Sequence, residues 1–342
     1  MKFAGTLLRA WLVLLFWINA GGARADAVSD FYAGKTVTLL VPVAPGGSYS
    51  LFAQFLQQHL GRHIPGNPAV IVQHMPGAGG LTATQWLYSV APKDGTVIAT
   101  LNTTPTTWAL LNQHKISFDP LKFTWLSAWN ETVTVFFVLD NAPAQTIEAA
   151  KTTELVMGSI GSGSLTYMLP ALLNTYLGTK FKIVTGYPGA NNVYMAMDQG
   201  ELHGSTALAE SLNASRQEWV EKDRMRLLLQ IARKPYAPKW AKVPLLNELA
   251  VDDESRAAFE FLTAGGMTAR ALQLPPGVPG DRVEALRKAV SATFADPVFL
   301  AEAQRLKFEV DPVASEDVYR AVERMAALPQ PLKEKLRVLL GD

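Results

Sequence analysis

The chain has 342 residues, of which 49% are hydrophobic and 18% charged, with a formal net charge of +1 and no cysteine. This is ordinary globular composition, with apolar material for one large domain or two smaller ones. The near-neutral charge, with no Lys/Arg run, argues against nucleic acid or an anionic membrane surface as partner, and the missing cysteines exclude disulfides and thiolate metal sites.

Residues 1–25 read as a secretory signal peptide. Lys2 and Arg9 supply the positive start, "LLRAWLVLLFWINA" the apolar stretch, and Ala23-Arg24-Ala25 the small residues of a cleavage site before Asp26. The apolar run is shorter than the roughly 20 residues of a spanning helix. Cleavage after Ala25 is expected, leaving an exported soluble chain with a small net negative charge.

The mature sequence then alternates strands and helices. Thr36 to Val43, "TVTLLVPV", reads as a buried strand. Residues 49–60 have helical periodicity, with Leu51, Phe52, Phe55, Leu56 and Leu60 on one face. Ala69 to Gln73 is a second strand, "MPGAGG" a turn, Leu81 to Val90 a helix, and Thr96 to Leu101 a third strand. Trp125 to Leu139 is extended and β-rich. The scheme then restarts with strand Leu155 to Ser159, a glycine loop, helix Leu165 to Leu177, strand Lys182 to Thr185, the turn "YPGANN", and helix Val193 to Gln199. Further strands follow in "GELHGSTAL" and "LLLQIA". A Pro/Gly connection, Ala271 to Asp281, precedes an amphipathic helix from Arg282 to Phe294 and two more through residue 328. The repeat of architecture implies two similar α/β lobes with a cleft between them. The expected division is residues 26–140 for the first lobe, 141–240 for the second, and 241–342 for a return segment and C-terminal helices of the first lobe.

Two loops stand out chemically. "VPVAPGGSYS" joins the first strand to its helix, and Gly46 and Gly47 there allow close backbone approach to a ligand. Free N–H groups at the helix start, with Ser48 and Ser50 as caps or donors, suit an anion. "GSIGSGS", Gly158 to Ser164, repeats this arrangement in the second half. Such loops can hold a carboxylate without a buried arginine. Asn102, Thr103 and Thr104 end the third strand as candidate polar groups of the same cleft, and Met75 to Gly80 reads as support for the first loop. Enzyme signatures are missing. No Gly-Lys-Ser/Thr follows either loop, the dinucleotide glycine order is absent, and "GGSYS" misses Gly-x-Ser-x-Gly by one residue. His59 and His63 read as a fraying helix end rather than a zinc pair, and His74, His114 and His203 as solitary. No cofactor and no metal are expected.

The stretches "KTVTLLVPVAPGGSYS", "VIVQHMPGAGG", "APKDGTVIAT", "GSIGSGS", "TGYPGA", "VPLLNEL" and "LPPGVPGDRVEAL" occur in this order. Together they resemble the solute receptors of tripartite tricarboxylate transporters, the Bug family of bacterial periplasmic proteins, over about residues 31–325. The resemblance implies a two-lobed α/β fold with Venus-flytrap closure, type II-like, and a periplasmic, monomeric receptor rather than an enzyme. It also implies an organic carboxylate held between the lobes and delivered to a membrane permease. By position, the first loop would contribute Pro45, Gly46, Gly47, Ser48 and Tyr49. The second would contribute Ser159, Gly161, Gly163, Ser164 and Thr166, and the third segment Tyr187 and Gly189. The chain departs from the family pattern at Ser50, Tyr167 and Pro188, where Asp, His and Lys are common. With tyrosines nearby, those departures favour a monocarboxylate, or an aromatic or extended apolar acid, over citrate. Two other readings are a receptor of this shape serving another transporter or a sensor kinase, and an exported hydrolase using Ser48.

Overall fold

The computed structural model describes residues 27–46, 48–111, 116–161 and 164–339, apart from the side chains of residues 213 and 214. The expected signal peptide, Gly47, Gly163 and His114 lie outside the described residues.

In chain order, helix α1 (27–32) leads into β1 (Thr36–Val41), α2 (Ser48–Leu60), β2 (Ala69–His74), α3 (Leu81–Ser89), β3 (Val97–Thr100) and α4 (Thr103–Leu110). Then come β4 (Thr124–Ala128), β5 (Thr134–Leu139), α5 (Ile147–Ala150), β6 (Leu155–Gly158), α6 (Leu165–Leu177), β7 (Phe181–Val184), α7 (Ala190–Asp198) and β8 (Gly204–Leu208). The chain continues through α8 (Ala209–Ser215), α9 (Gln217–Glu221), β9 (Met225–Ile231), α10 (Asp253–Thr268), β10 (Ala271–Leu274), α11 (Gly280–Ala295) and α12 (Pro297–Arg305). It ends with β11 (Val313–Ala314), α13 (Ser315–Ala326) and α14 (Gln330–Leu339).

These elements form two α/β units, each around its own sheet. The first unit comprises residues up to Pro105, Leu121–Asn130 and Arg270–Val318. Its six-stranded sheet runs β11-β4-β10-β3-β1-β2. β1 lies parallel to β2 and β3, whereas β10 is antiparallel to β3 and β4. Strand β1 is apolar because it is covered on both faces, as a central parallel strand must be. Phe52, Phe55, Leu56 and Leu60 of α2 recur at helical spacing and bury against Leu39, Ile98, Trp129 and Phe299. Leu51, read on that face, lies in the first turn of the helix and stays 48% exposed.

The second unit comprises Thr106–Pro120, Glu131–Ala269 and the chain from Tyr319 on. Its sheet runs β7-β6-β8-β5-β9, with β6 parallel to β7 and β8, and β5 antiparallel to β8 and β9. Its core joins Val135, Phe137, Val193, Tyr194, Met197 and Trp219.

The observed boundaries differ from the expected ones in three places. The apolar run Trp125–Leu139 is two strands of different sheets, divided near Asn130, so β5 belongs to the second unit. Helix α10, assigned to the return segment from sequence, belongs to the second unit, and the chain rejoins the first only at Arg270. The tail from Tyr319 also belongs to the second unit. There α14 buries Leu332 and Leu336 and lies against α6 and α10. Lys335 Nζ and Tyr176 OH both donate to Glu254 Oε1, at 2.6 and 2.8 Å. An amphipathic helix is drawn to whichever apolar face is uncovered, and sequence order does not name it.

Candidate functional site

Each sheet has a point at which the chain order reverses, and open α/β sheets hold ligands outside the carboxyl ends of strands at such points. In the first unit β1 sits between β2 and β3, so the crossovers leaving its two sides diverge. In the second unit β6 sits between β7 and β8 in the same way. The loops following β1 and β6 are the two glycine-rich loops of the sequence reading, so the topology places both at reversal points.

In the first loop Pro45, Gly46 and Ser48 are exposed. Gly46 has φ +101°, and no atom lies within 4 Å of where its side chain would be, so the backbone faces open space. Tyr49 is half-buried and meets Trp129 edge to face at 6.1 Å, and Trp129 in turn stacks on Phe52 at 3.7 Å. Its ring therefore packs within its own unit.

The loop is braced by a group that sequence reading left as solitary. His74, the last residue of β2, places Nδ1 2.9 Å from the Val43 carbonyl. A carbonyl only accepts, so the ring proton is on Nδ1, and Nε2 is left to accept from the Ser50 hydroxyl at 3.4 Å. Gln54 Nε2 donates to the same hydroxyl at 3.3 Å. Ser50 is fully buried, so its hydroxyl ties the helix start to β2 instead of facing outward. Beside it, Asn102 Nδ2 donates to the Gly79 carbonyl at 2.7 Å. A side chain at Gly80, whose φ is +96°, would collide with Asn102 Oδ1. Asn102 thus braces the Met75–Gly80 turn, and Thr103, partly buried, opens α4.

In the second loop the hydroxyls are turned inward. Ser159 is fully buried, and its Oγ accepts the Gly161 N–H at 3.2 Å and lies 3.1 Å from Thr166 Oγ1. Thr166 Oγ1 accepts the Ile160 N–H at 3.1 Å and lies 2.5 Å from Ser164 Oγ, which donates to the Gly161 carbonyl at 2.7 Å. Ser205 on β8 anchors the base of the loop by donating to the Gly158 carbonyl at 2.7 Å. Gly161, at φ +149°, has open space where a side chain would be. Ser159 and Thr166 thus shape the loop by taking its Gly161 and Ile160 N–H groups inward, and α6 starts just beyond them. In the third segment Tyr187 is half-buried against the apolar cluster of the second unit, and Gly189 caps α7 with extended backbone.

The other histidines are also engaged. His203 Nδ1 accepts the Val156 N–H at 2.9 Å, and burial lowers its pKa, against a weaker opposite pull from Glu154. His59 and His63 do not fray. They contact Glu302 and Asp296, each at 3.1 Å, and Arg62 contacts Asp296 at 2.6 Å. The Val298 N–H, then burial acting oppositely, then Arg62 and His63 set the Asp296 pKa at about 2. Among the described residues no group of three or more His, Cys, Asp or Glu could hold a metal ion, and no helix is long and apolar enough to cross a membrane. Sequence reading missed His74, Gln54 and Ser205, because their partners lie on neighbouring strands or turns and not in a local motif.

Comparison with known proteins agrees with this architecture. A curated relative from Cupriavidus necator, the UPF0065 protein in the gbd 5′ region, is 25% identical over 256 residues, covering 73% of this chain and 75% of the relative. A TctC solute-binding protein from Polaromonas superposes with a TM-score of 0.70 at 20% identity, covering 89% of this chain and 99% of that one. MatC from Rhodopseudomonas palustris, with bound malate, superposes with a TM-score of 0.58 at 18% identity, covering 90% and 99%. The fold is that of periplasmic solute-binding proteins, which are receptors and not enzymes. The model of the tripartite tricarboxylate transporter receptor family matches residues 53–335, and the chain belongs to that family.

Proposed function

We propose that this receptor works in the periplasm, captures an organic carboxylate at the glycine-rich loops following β1 and β6, and delivers it to a tripartite tricarboxylate permease. The observation that carries this is the pair of equivalent loops, each at the reversal point of its sheet and each opening a helix. Backbone N–H groups at such helix starts favour an anion. Each charge-assisted hydrogen bond to a carboxylate would contribute about 1.5–3 kcal/mol. The Rhodopseudomonas neighbour carries malate, an acid of this class. The hydrolase alternative gains no support. The serine beside a histidine is Ser50, not Ser48, and it is fully buried.

Gly46→Val and Gly161→Val test the reading. Either branched side chain would stand in the open space before its loop and strain a backbone of positive φ. Calorimetry with a panel of carboxylates should show binding by the wild type and its loss in both variants, with near-native circular dichroism. Unchanged affinity in one variant would remove its loop from the site. Osmotic-shock release, and uptake assays with and without the partner permease genes, test location and delivery.

A further inference from the structure

The loop ends of the parallel strands carry no charge. Residues 36–61, 63–92 and 95–114 contain no Lys, Arg, Asp or Glu, although 18% of the whole chain is charged. These stretches span β1, β2, β3 and the loops that follow them. In the second unit, residues 155–179, 183–197 and 202–209 are equally free of charge and span β6, the last two residues of β7, β8 and the turns that follow them.

The antiparallel strands do bring charged residues to the same edges, and these are occupied. Arg270, 4% exposed, donates from Nη1 to Asn130 Oδ1 at 3.3 Å and lies over the Trp129 ring. Arg233 holds Glu131 at 2.8 Å. Lys234 and Glu210 are engaged in interactions of their own. His74 spends both ring nitrogens on Val43 and Ser50. Among the described residues, each of these charged side chains thus already has contacts of its own.

Apolar surface lies beside the loops. Leu51, in the first turn after the first loop, is 48% exposed, and Ile160, in the second loop, is 45% exposed. Tyr167, in the first turn of α6, is half-buried. A tyrosine of this kind offers ring area with a polar tip.

Resting on the carboxylate-receptor reading above, we infer that the ligand is a monocarboxylate with an uncharged, largely apolar tail. Backbone N–H groups at the helix starts hold its one carboxylate, and the uncharged, partly apolar surface beside the loops meets the tail. A second carboxylate would have to shed water against that uncharged surface, which is costly. Each methylene moved onto apolar surface is favourable by contrast.

Matched acids test this without any variant. Titrating the mature protein with butyrate and succinate, then with hexanoate and adipate, compares ligands of equal carbon count that differ by one carboxylate. The expected result is a preference of at least about tenfold for the monocarboxylate in each pair, with hexanoate tighter than butyrate. Succinate or adipate binding as tightly as its partner would overturn the inference and leave the receptor reading intact. Failure of every carboxylate, including malate and citrate, would overturn the receptor reading and this inference with it.

Discussion

His74 and Ser50 show how much of the first loop depends on one strand-end side chain. The imidazole joins the Val43 carbonyl to the first turn of α2, so the loop is held at both ends. Ser50→Ala removes the partner of both His74 and Gln54 within a buried site and should cost about 1 kcal/mol, read from urea denaturation. It should also weaken carboxylate binding by loosening the loop, so calorimetry showing wild-type affinity would limit His74 to a stabilising role. His203 gives a pH dependence of definite sign. Burial holds its folded pKa below the ordinary 6.5, and the neutral ring accepts the Val156 N–H. Above that value both folded and unfolded chains carry a neutral ring, and the residue adds no slope. Below it the unfolded chain takes up a proton that the folded chain resists, so stability falls with pH until the folded ring itself titrates. His203→Asn should flatten the fall in stability that sets in as pH drops below about 6.5, checked by urea midpoints. Asp296 acts with the same direction further into acid. Its folded pKa of about 2 means its contribution is present above the ordinary carboxylate value and is lost as pH falls toward 2.

At the scale of elements, α14 is the clearest case of a segment placed by packing. Leu336 is fully buried in the second unit, and the helix lies against α6 and α10. Glu254, at the start of α10, has its pKa lowered by Lys335 first and by Tyr176 second, while burial and that same carboxylate raise the Tyr176 pKa. This triad is largely solvent-exposed and fixes geometry more than it stabilises. The apolar contacts should dominate: Leu336→Ala is expected to cost about 2–5 kcal/mol, whereas Lys335→Ala should stay within about 1 kcal/mol. Equal losses in chemical denaturation would reverse that ranking. Turn elements obey a similar logic. Gly80→Ala drives a Cβ into Asn102 at positive φ, so it should destabilise the Met75–Gly80 turn, seen as faster amide exchange there.

For the whole molecule, a receptor that binds only when folded gains stability from its ligand by mass action. At a free ligand concentration 100-fold above Kd the gain is about 2.7 kcal/mol. Thermal unfolding with and without a bound monocarboxylate should show this, and Gly161→Val should abolish it. A rise in melting temperature that survives Gly161→Val would place the bound acid away from the second loop.

The alternation of strands and helices, the restart at Leu155, the two glycine loops and the family are legible in the residues alone. Those features are local: hydrophobic period, glycine turns and loop composition act within a few residues of each other. Which strands sit side by side is set by packing across the chain, and with it the place of β1 and β6 as the reversal points that position the two loops. Packing likewise decides that Ser50 faces His74, that Ser159 and Thr166 turn inward, and that Trp125–Leu139 divides between two sheets. The tail's place on the second unit was settled in the same way. Each of these depends on partners distant in sequence, where an apolar stripe or a lone polar residue states only that it needs a partner. Which partner meets that need is fixed when the chain packs.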